Sequence, residues 1–236
     1  MKSIGIIGAM EEEIIVIRRN MTITHTKSIA SMEFYEGIMD GQKIVLVRCG
    51  IGKVNAAVCT QILIDIFNVS YIINTGVAGG LHPDINIGDI IISSDTVEHD
   101  MDVTAFGHEK GYIPRMDMQF FEADEWLVEI AKRAAEEVQG DHKVYVGRIA
   151  SGDQFVSSMK VKEEIYTNFT AYCAEMEGAA IAHTCFLNKI PFVVIRAISD
   201  KADQSAEVNF DDFVDLAAKN ASQMIEAMIK EIAKME

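Results

Sequence analysis

The sequence predicts one α/β domain on a largely parallel sheet, and three observations carry that prediction. Short β-branched runs alternate with longer segments of helical period. Only three prolines interrupt the 236 residues. No Ser/Gly/Pro-rich linker, low-complexity tract or internal repeat divides them. Residues 1–236 therefore read as a single domain, with enough chain to bury a sizeable core.

In order, Ile4–Gly8 reads as a strand and Met10–Arg19 as a helix that opens on Glu11–Glu13. Lys43–Cys49 is a strand, and a helical pattern follows from Lys53 to Phe67. Tyr71–Asn74 and Asp89–Ser93 are strands, and Ala123–Val138 is an acidic amphipathic helix. The alternation continues with Lys143–Ala150 (strand), Ser158–Phe169 (helix), Ala171–Glu175 (strand), Gly178–Leu187 (helix) and Phe192–Ile198 (strand). The last helix has Asn209 as its N-cap, with Phe213, Leu216, Met224, Met228 and Ile232 on its apolar stripe. Ser94–Asp124 shows no period and reads as a functional insert, a lid or an interface. Its aromatics, Phe106, Tyr112, Phe120 and Phe121, have no helix to bury them, which points to cover by a partner subunit.

Hydrophobic residues are 49% and charged residues 24%, an ordinary globular balance. The net charge of −15 repels phosphate backbones and anionic lipid, so nucleic acid and membrane surfaces are not expected partners. A neutral or cationic small molecule, or another protein, fits better. No run reaches the ~18 apolar residues of a membrane span, and MKSIGIIGAMEEE lacks the features of a secretion signal. Cys49, Cys59, Cys173 and Cys185 form no C-x-x-C pair and are expected to be reduced, buried thiols of a cytoplasmic protein.

The familiar motifs fail on inspection. Gly50-Ile51-Gly52 opens a helix after a strand, but Asn55 stands at the third glycine of a dinucleotide fingerprint. Lys53 lacks the upstream glycine of a P-loop, and His108-Glu109 lacks the second histidine of a zinc helix, where Tyr112 stands. His99-Asp100-Met101-Asp102 has no third cluster at metal-ligand spacing, so no metal and no cofactor are expected.

Carboxylates remain. Four strands run into acids: Glu11–Glu13, Asp153, Glu175 with Glu177, and Asp200. One acid at a helix start only complements the helix dipole. Four on one rim of strand ends, where open α/β sheets bind ligands, suit acid/base chemistry on a neutral substrate. Gly76, Gly79 and Gly80 at a fifth strand end would let backbone approach a ligand. Periodicity does not choose among Glu11, Glu12 and Glu13.

The segments GIIGAMEEE, GIGKVNAA, NTGVAGG, HDMDVTAFG, SGDQFV, AEMEGAAIAH and PFVVIRAISDKAD together resemble the 5′-methylthioadenosine/S-adenosylhomocysteine nucleosidases of the nucleoside phosphorylase superfamily, in order over nearly the whole chain. That resemblance implies a three-layer α/β/α fold with a mixed, partly closed central sheet, a homodimer, a nucleoside substrate and no cofactor. It also implies hydrolysis of methylthioadenosine, S-adenosylhomocysteine and 5′-deoxyadenosine. Asp200 would protonate adenine and Glu13 would activate water. Glu177 would hold the ribose hydroxyls, with Met176 against the sugar and Arg196 near the water. Phe155 would stack on adenine while the Val156 backbone reads its edge; Gly79 and Ser199 would lie beside the substrate. Ile51, Val103 and Phe210, with Phe106 and Pro114 from the second subunit, would line the 5′-thio pocket. Val77 stands where these proteins commonly carry serine. A phosphorylase is the nearest alternative, sustained by Arg48 and Arg196 but opposed by Glu13, which would repel phosphate. A futalosine-type hydrolase and a non-catalytic nucleoside sensor are the others.

Overall fold

The structure, a computed structural model, describes residues 2–138 and 142–235. Its strands are β1 (Ser3–Gly8), β2 (Thr22–Ile29), β3 (Met32–Met39), β4 (Gln42–Arg48), β5 (Tyr71–Gly80), β6 (Ile90–Glu98), β7 (Phe121–Glu122), β8 (Val144–Ser151), β9 (Cys173–Glu175) and β10 (Phe192–Asp200). The helices are α1 (Glu11–Asn20), α2 (Lys53–Phe67), α3 (Glu125–Glu137), α4 (Met159–Phe169), α5 (Gly178–Asn188) and α6 (Ala206–Met235).

One mixed sheet organises these elements. β10 pairs with both β6 and β5, so the path β5–β10–β6–β8–β9 returns to β5 and closes a five-stranded barrel. β1, β4, β3 and β2 continue outward from β5 as an open wing. Pairs β1–β4, β1–β5, β5–β10, β6–β8 and β8–β9 are parallel, whereas β6–β10, β5–β9, β2–β3 and β3–β4 are antiparallel. The largely parallel sheet read from the alternation is thus corrected to the mixed, partly closed one that the family resemblance implies. β5 reads as a near-continuous buried run, as a strand covered on both faces must. Helices α1, α3 and α6 pack together against the sheet, and α2 packs on α5.

Several boundaries differ from the sequence reading. β5 continues past Asn74 through its glycines, and β6 runs on to Glu98, so Ser94–Glu98 belongs to the sheet rather than to the insert. The β2–β3 hairpin has no counterpart in the sequence reading. β2 is exposed almost throughout and carries no apolar alternation. α6 begins at Ala206, and Asn209 lies inside it, its amide reaching back to Ser205 Oγ (2.8 Å) instead of capping. Met224, Met228 and Ile232 are buried on α6 as expected, but Phe213 and Leu216 are exposed in the single chain. The insert aromatics also need correction. Phe121 is buried against His183 and Phe186, the Arg148 guanidinium covers Phe120, and Tyr112 stacks on His108. Phe106 alone of the four stays fully open, at 82% exposure. All four cysteines are free and buried.

The barrel closes along β6–β10, where Ile195, Arg196 and Ala197 oppose Ile92, Ile91 and Ile90. Beyond that ladder the fully buried Ser93 hydroxyl accepts the Val194 N–H at 2.9 Å, replacing a backbone acceptor. Ser93→Ala strands that donor in the interior and should cost about 1–3 kcal/mol in urea unfolding. An unchanged midpoint would show that the seam does not depend on it.

Candidate active site

A cleft with a cavity volume of about 120 Å³ opens where β1, β5, β9 and β10 end, at the strand ends where α/β sheets bind ligands. Glu13, Ile51, Val77, Gly79, Phe155, Met176, Glu177, Ser199, Asp200 and Phe210 line it, all of them expected from the sequence. Ala9, Met10, Ala78, Ala174 and Glu175 line it too and were not on that list of site residues.

Glu13 is the third residue of α1, on the inward face with Ile14 and Ile17. Glu11 instead pairs with Arg18 at the surface, and Glu12 is exposed. One Glu13 oxygen accepts the N–H groups of Ala9 (2.6 Å) and Met10 (2.9 Å), and the other accepts that of Val77 (3.0 Å). Burial raises its pKa above the ordinary carboxylate value, against the pull of Arg196 and the three backbone donors.

Asp200 ends β10 just past a register shift between Ile198 and Asp200, an irregularity of the kind that re-aims a side chain. Its oxygens accept the Ala202 N–H (2.7 Å) and the Ser199 hydroxyl (2.9 Å). Burial raises this pKa as well. β5 passes beneath both acids. A β-carbon on Gly76 would lie 2.6 Å from Glu13 Oε1, and one on Gly79 would lie 2.8 Å from Asp200 Oδ1. These glycines sit about 10 Å apart along an extended strand, so the two carboxyls meet β5 at two separate points of the cleft.

Between them, Glu177 ends the turn into α5 and accepts the Gly52 N–H at 2.8 Å. Burial first, and the neighbouring Glu175 carboxylate second, push its pKa up to about 8. Glu175 is held differently. It pairs with the buried Arg196, accepts the Ser151 hydroxyl, and caps α5 through the N–H groups of Glu177 (3.1 Å) and Gly178 (2.8 Å). Arg196 also reaches Asn74 Oδ1 at 2.6 Å. Phe155 meets Phe210 edge-on, with ring centroids 5.8 Å apart.

Several expected positions lie outside the cleft. Arg196 stands one layer behind it, on Glu175 and Asn74. The Val156 side chain turns into a separate cluster with Leu81, Val97 and Phe169. Val103, Phe106 and Pro114 belong to the insert around the 3-10 turn at Thr104–Phe106, and none of them lines the cleft of its own chain. Asp153 faces the start of α2 rather than the cleft, accepting the Lys53 N–H at 2.8 Å. Arg48 lines an adjacent groove with Glu11 and Glu12. Glu175 was legible as a rim acid, but its pairing with Arg196 depends on strand order, which no local pattern encodes.

A mixed, part-closed sheet with a desolvated carboxyl cleft at its strand ends defines a class, and the sequence model of the phosphorylase superfamily matches residues 3–230. The 5′-methylthioadenosine/S-adenosylhomocysteine nucleosidase of Staphylococcus carnosus is 45% identical over 97% of this chain and 100% of its own. The Neisseria meningitidis enzyme of that name, solved with methylthio-immucillin-A, superposes with a TM-score of 0.94 at 44% identity, covering 98% and 99% of the two chains. Futalosine hydrolase of Helicobacter pylori superposes at 0.92 with 36% identity and 98% coverage of each. The chain belongs to the 5′-methylthioadenosine/S-adenosylhomocysteine nucleosidase family.

The raised pKa of Glu177 has a consequence for stability. The folded chain keeps a proton that the unfolded chain releases above its ordinary pKa of 4.5. The group's stabilising contribution is therefore full below about pH 4.5 and is lost as pH rises through about 8. Glu177→Gln removes this titration. Its stability relative to the wild type should improve steadily from about pH 5 to about pH 8 in urea unfolding. Parallel curves would contradict the shift.

Proposed function

We propose that the chain hydrolyses the N-glycosidic bond of 5′-methylthioadenosine and S-adenosylhomocysteine, with 5′-deoxyadenosine as a further substrate, releasing adenine and the 5′-substituted ribose. One observation carries this reading: two buried carboxyls with raised pKa, Glu13 and Asp200, meet one cleft from opposite ends of a short stretch of β5.

Each acid suits one half of the reaction. Asp200, its protonated form favoured by burial, donates to N7 of adenine as the C1′–N9 bond breaks, so the purine leaves neutral. Water attacks the oxocarbenium-like C1′ and gives its proton to Glu13, a stronger base for its raised pKa and held in aim by three backbone donors. Glu177 hydrogen-bonds the ribose hydroxyls, Met176 packs on the sugar, and Phe155 and Phe210 provide the aromatic wall for the base and the 5′ group. The Val156 backbone reads the polar edge of the adenine. Arg196 acts from behind, its charge favouring the ionised form of Glu13.

The working form is a homodimer in the cytoplasm. Support for the dimer comes from Phe106, at 82% exposure, and from Ile51, Val54 and Val58 at the start of α2, which stand open beside the cleft. A partner covering them would add its Val103, Phe106 and Pro114 to the 5′ side. Four buried free cysteines support a reducing compartment, and among the described residues no helix is long and apolar enough to cross a membrane.

Incubation with methylthioadenosine in phosphate-free buffer should release free adenine and methylthioribose. A strict phosphate requirement with a ribose 1-phosphate product would overturn the reading, and a clear preference for a futalosine-type nucleoside would move it to the chemistry of the futalosine hydrolase. Asp200→Asn and Glu13→Gln should each lower kcat by at least ~10²-fold with the fold intact; near wild-type turnover in either removes that residue's role. Phe106→Asp should weaken binding of methylthioadenosine much more than that of adenine, which lacks the 5′ group. Light scattering of a fully active monomer, or equal loss for both ligands, would sink the dimer proposal.

A further inference from the structure

Lys53, Asp100 and Asp153 close a ring of three hydrogen bonds just outside the cleft. The Lys53 backbone N–H donates to Asp153 Oδ1 at 2.8 Å. The Asp153 N–H donates to Asp100 Oδ2 at 2.9 Å. The Lys53 ammonium returns to Asp100 Oδ1 at 2.7 Å, and also donates to Glu98 Oε2 at 3.1 Å. Glu98 is anchored from its other oxygen by His183 Nδ1 at 2.9 Å.

The three corners come from three separate stretches of chain; two run directly into a cleft wall, and the third opens the insert. Lys53 begins α2, immediately after Ile51, which lines the cleft, and Gly52, whose N–H holds Glu177. Gly52 has φ of +98°, and a β-carbon there would lie 3.1 Å from Asp153 Oδ1, so the turn and the ring occupy the same space. Asp153 follows β8 and leads within two residues to Phe155. Asp100 follows β6 and opens the insert that carries Val103 and Phe106.

Glu13 and Asp200 take no part in this ring. Glu13 is fixed by Ala9, Met10 and Val77, and Asp200 by Ser199 and Ala202. The machinery that moves protons and the walls that hold the nucleoside therefore rest on separate sets of bonds. Burial works against the Lys53 ammonium, but the Asp100 and Glu98 carboxylates outweigh it and hold its pKa above the ordinary lysine value. The Lys53–Asp100 pair is thus charged across the neutral range.

We propose that Lys53, Asp100 and Asp153 are positioning residues that set the ribose and base walls of the cleft, and so govern nucleoside affinity separately from the rate of bond cleavage. The inference rests on the nucleosidase reading above. Contacts of this kind act alike on bound substrate and transition state, so their loss shows in KM rather than kcat.

Steady-state kinetics on methylthioadenosine test it. Lys53→Met should raise KM by about tenfold while kcat stays within about twofold, and Lys53→Arg, which keeps a cation for both carboxylates, should restore most of the loss. Asp100→Asn, which presents an amide donor to one of two donors, should repeat the KM effect and carries the test if Lys53→Met does not fold. Wild-type protein is assayed alongside. If it releases no adenine, the functional reading fails. If it is active and both Lys53→Met and Asp100→Asn match its KM, or lose kcat at constant KM, the positioning role is wrong. A loss in Lys53→Met that Lys53→Arg fails to recover would also overturn it.

Discussion

Three carboxyl groups, Glu13, Glu175 and Glu177, are buried around the single guanidinium of Arg196, with Asp200 buried at the end of the same strand, and this crowding constrains the rest of the molecule. A chain of net charge −15 can hold such a cluster only by dividing its members into distinct ionisation states. Glu175 takes the Arg196 guanidinium directly and accepts N–H groups at the N-terminus of α5. Among the described residues the other three have no cation in direct contact, and burial raises the pKa of each. Arg196 and three backbone donors pull Glu13 back toward its ionised form, while Asp200 has one backbone donor and one hydroxyl. An interior that tolerates protonated carboxyls is what an acid catalyst at neutral pH requires.

Barrel closure makes that interior available. β10 bonds to β5 on one side and β6 on the other, so the strand bearing Arg196 and Asp200 has no free edge through which water could solvate them. Arg196 and Asp200 are 2% and 1% exposed. The wing of β1 to β4 adds the other buried acid of the cleft, since β1 delivers the chain into α1 with Glu13 on its inward face. Helices α1 and α6 pack together, which brings Phe210, in the first turns of α6, to the same cleft.

Much of this was legible in the sequence because it was encoded locally. Apolar runs marked β1, β4, β8 and β10, and helical periods marked α1, α2, α3, α4 and α5 within a residue or two. The choice of Glu13 over its neighbours came from family resemblance, although a local signal existed: Glu13 lies four residues before Ile17, on the face of α1 that is buried. The hairpin of β2 and β3 was lost because β2 faces outward on both sides and carries no apolar alternation. β5 was cut short for the opposite reason. Its glycines look like loop, yet they are in the strand because carboxylates occupy the space their side chains would fill. Strand order, and with it the pairing of Glu175 with Arg196, is a long-range property that no window of sequence carries.

The stretch Gly76–Gly79 also decides where this pocket is free to evolve. Neither end accepts a β-carbon without displacing an acid, so both are closed to substitution. Position 77 is different, because its bond to Glu13 is made by the backbone N–H while its side chain faces the cleft. The anchor is therefore indifferent to residue identity. The side chain at position 77 can change in size and polarity while the Glu13 carboxyl stays in register, an adjustable element set between two fixed ones.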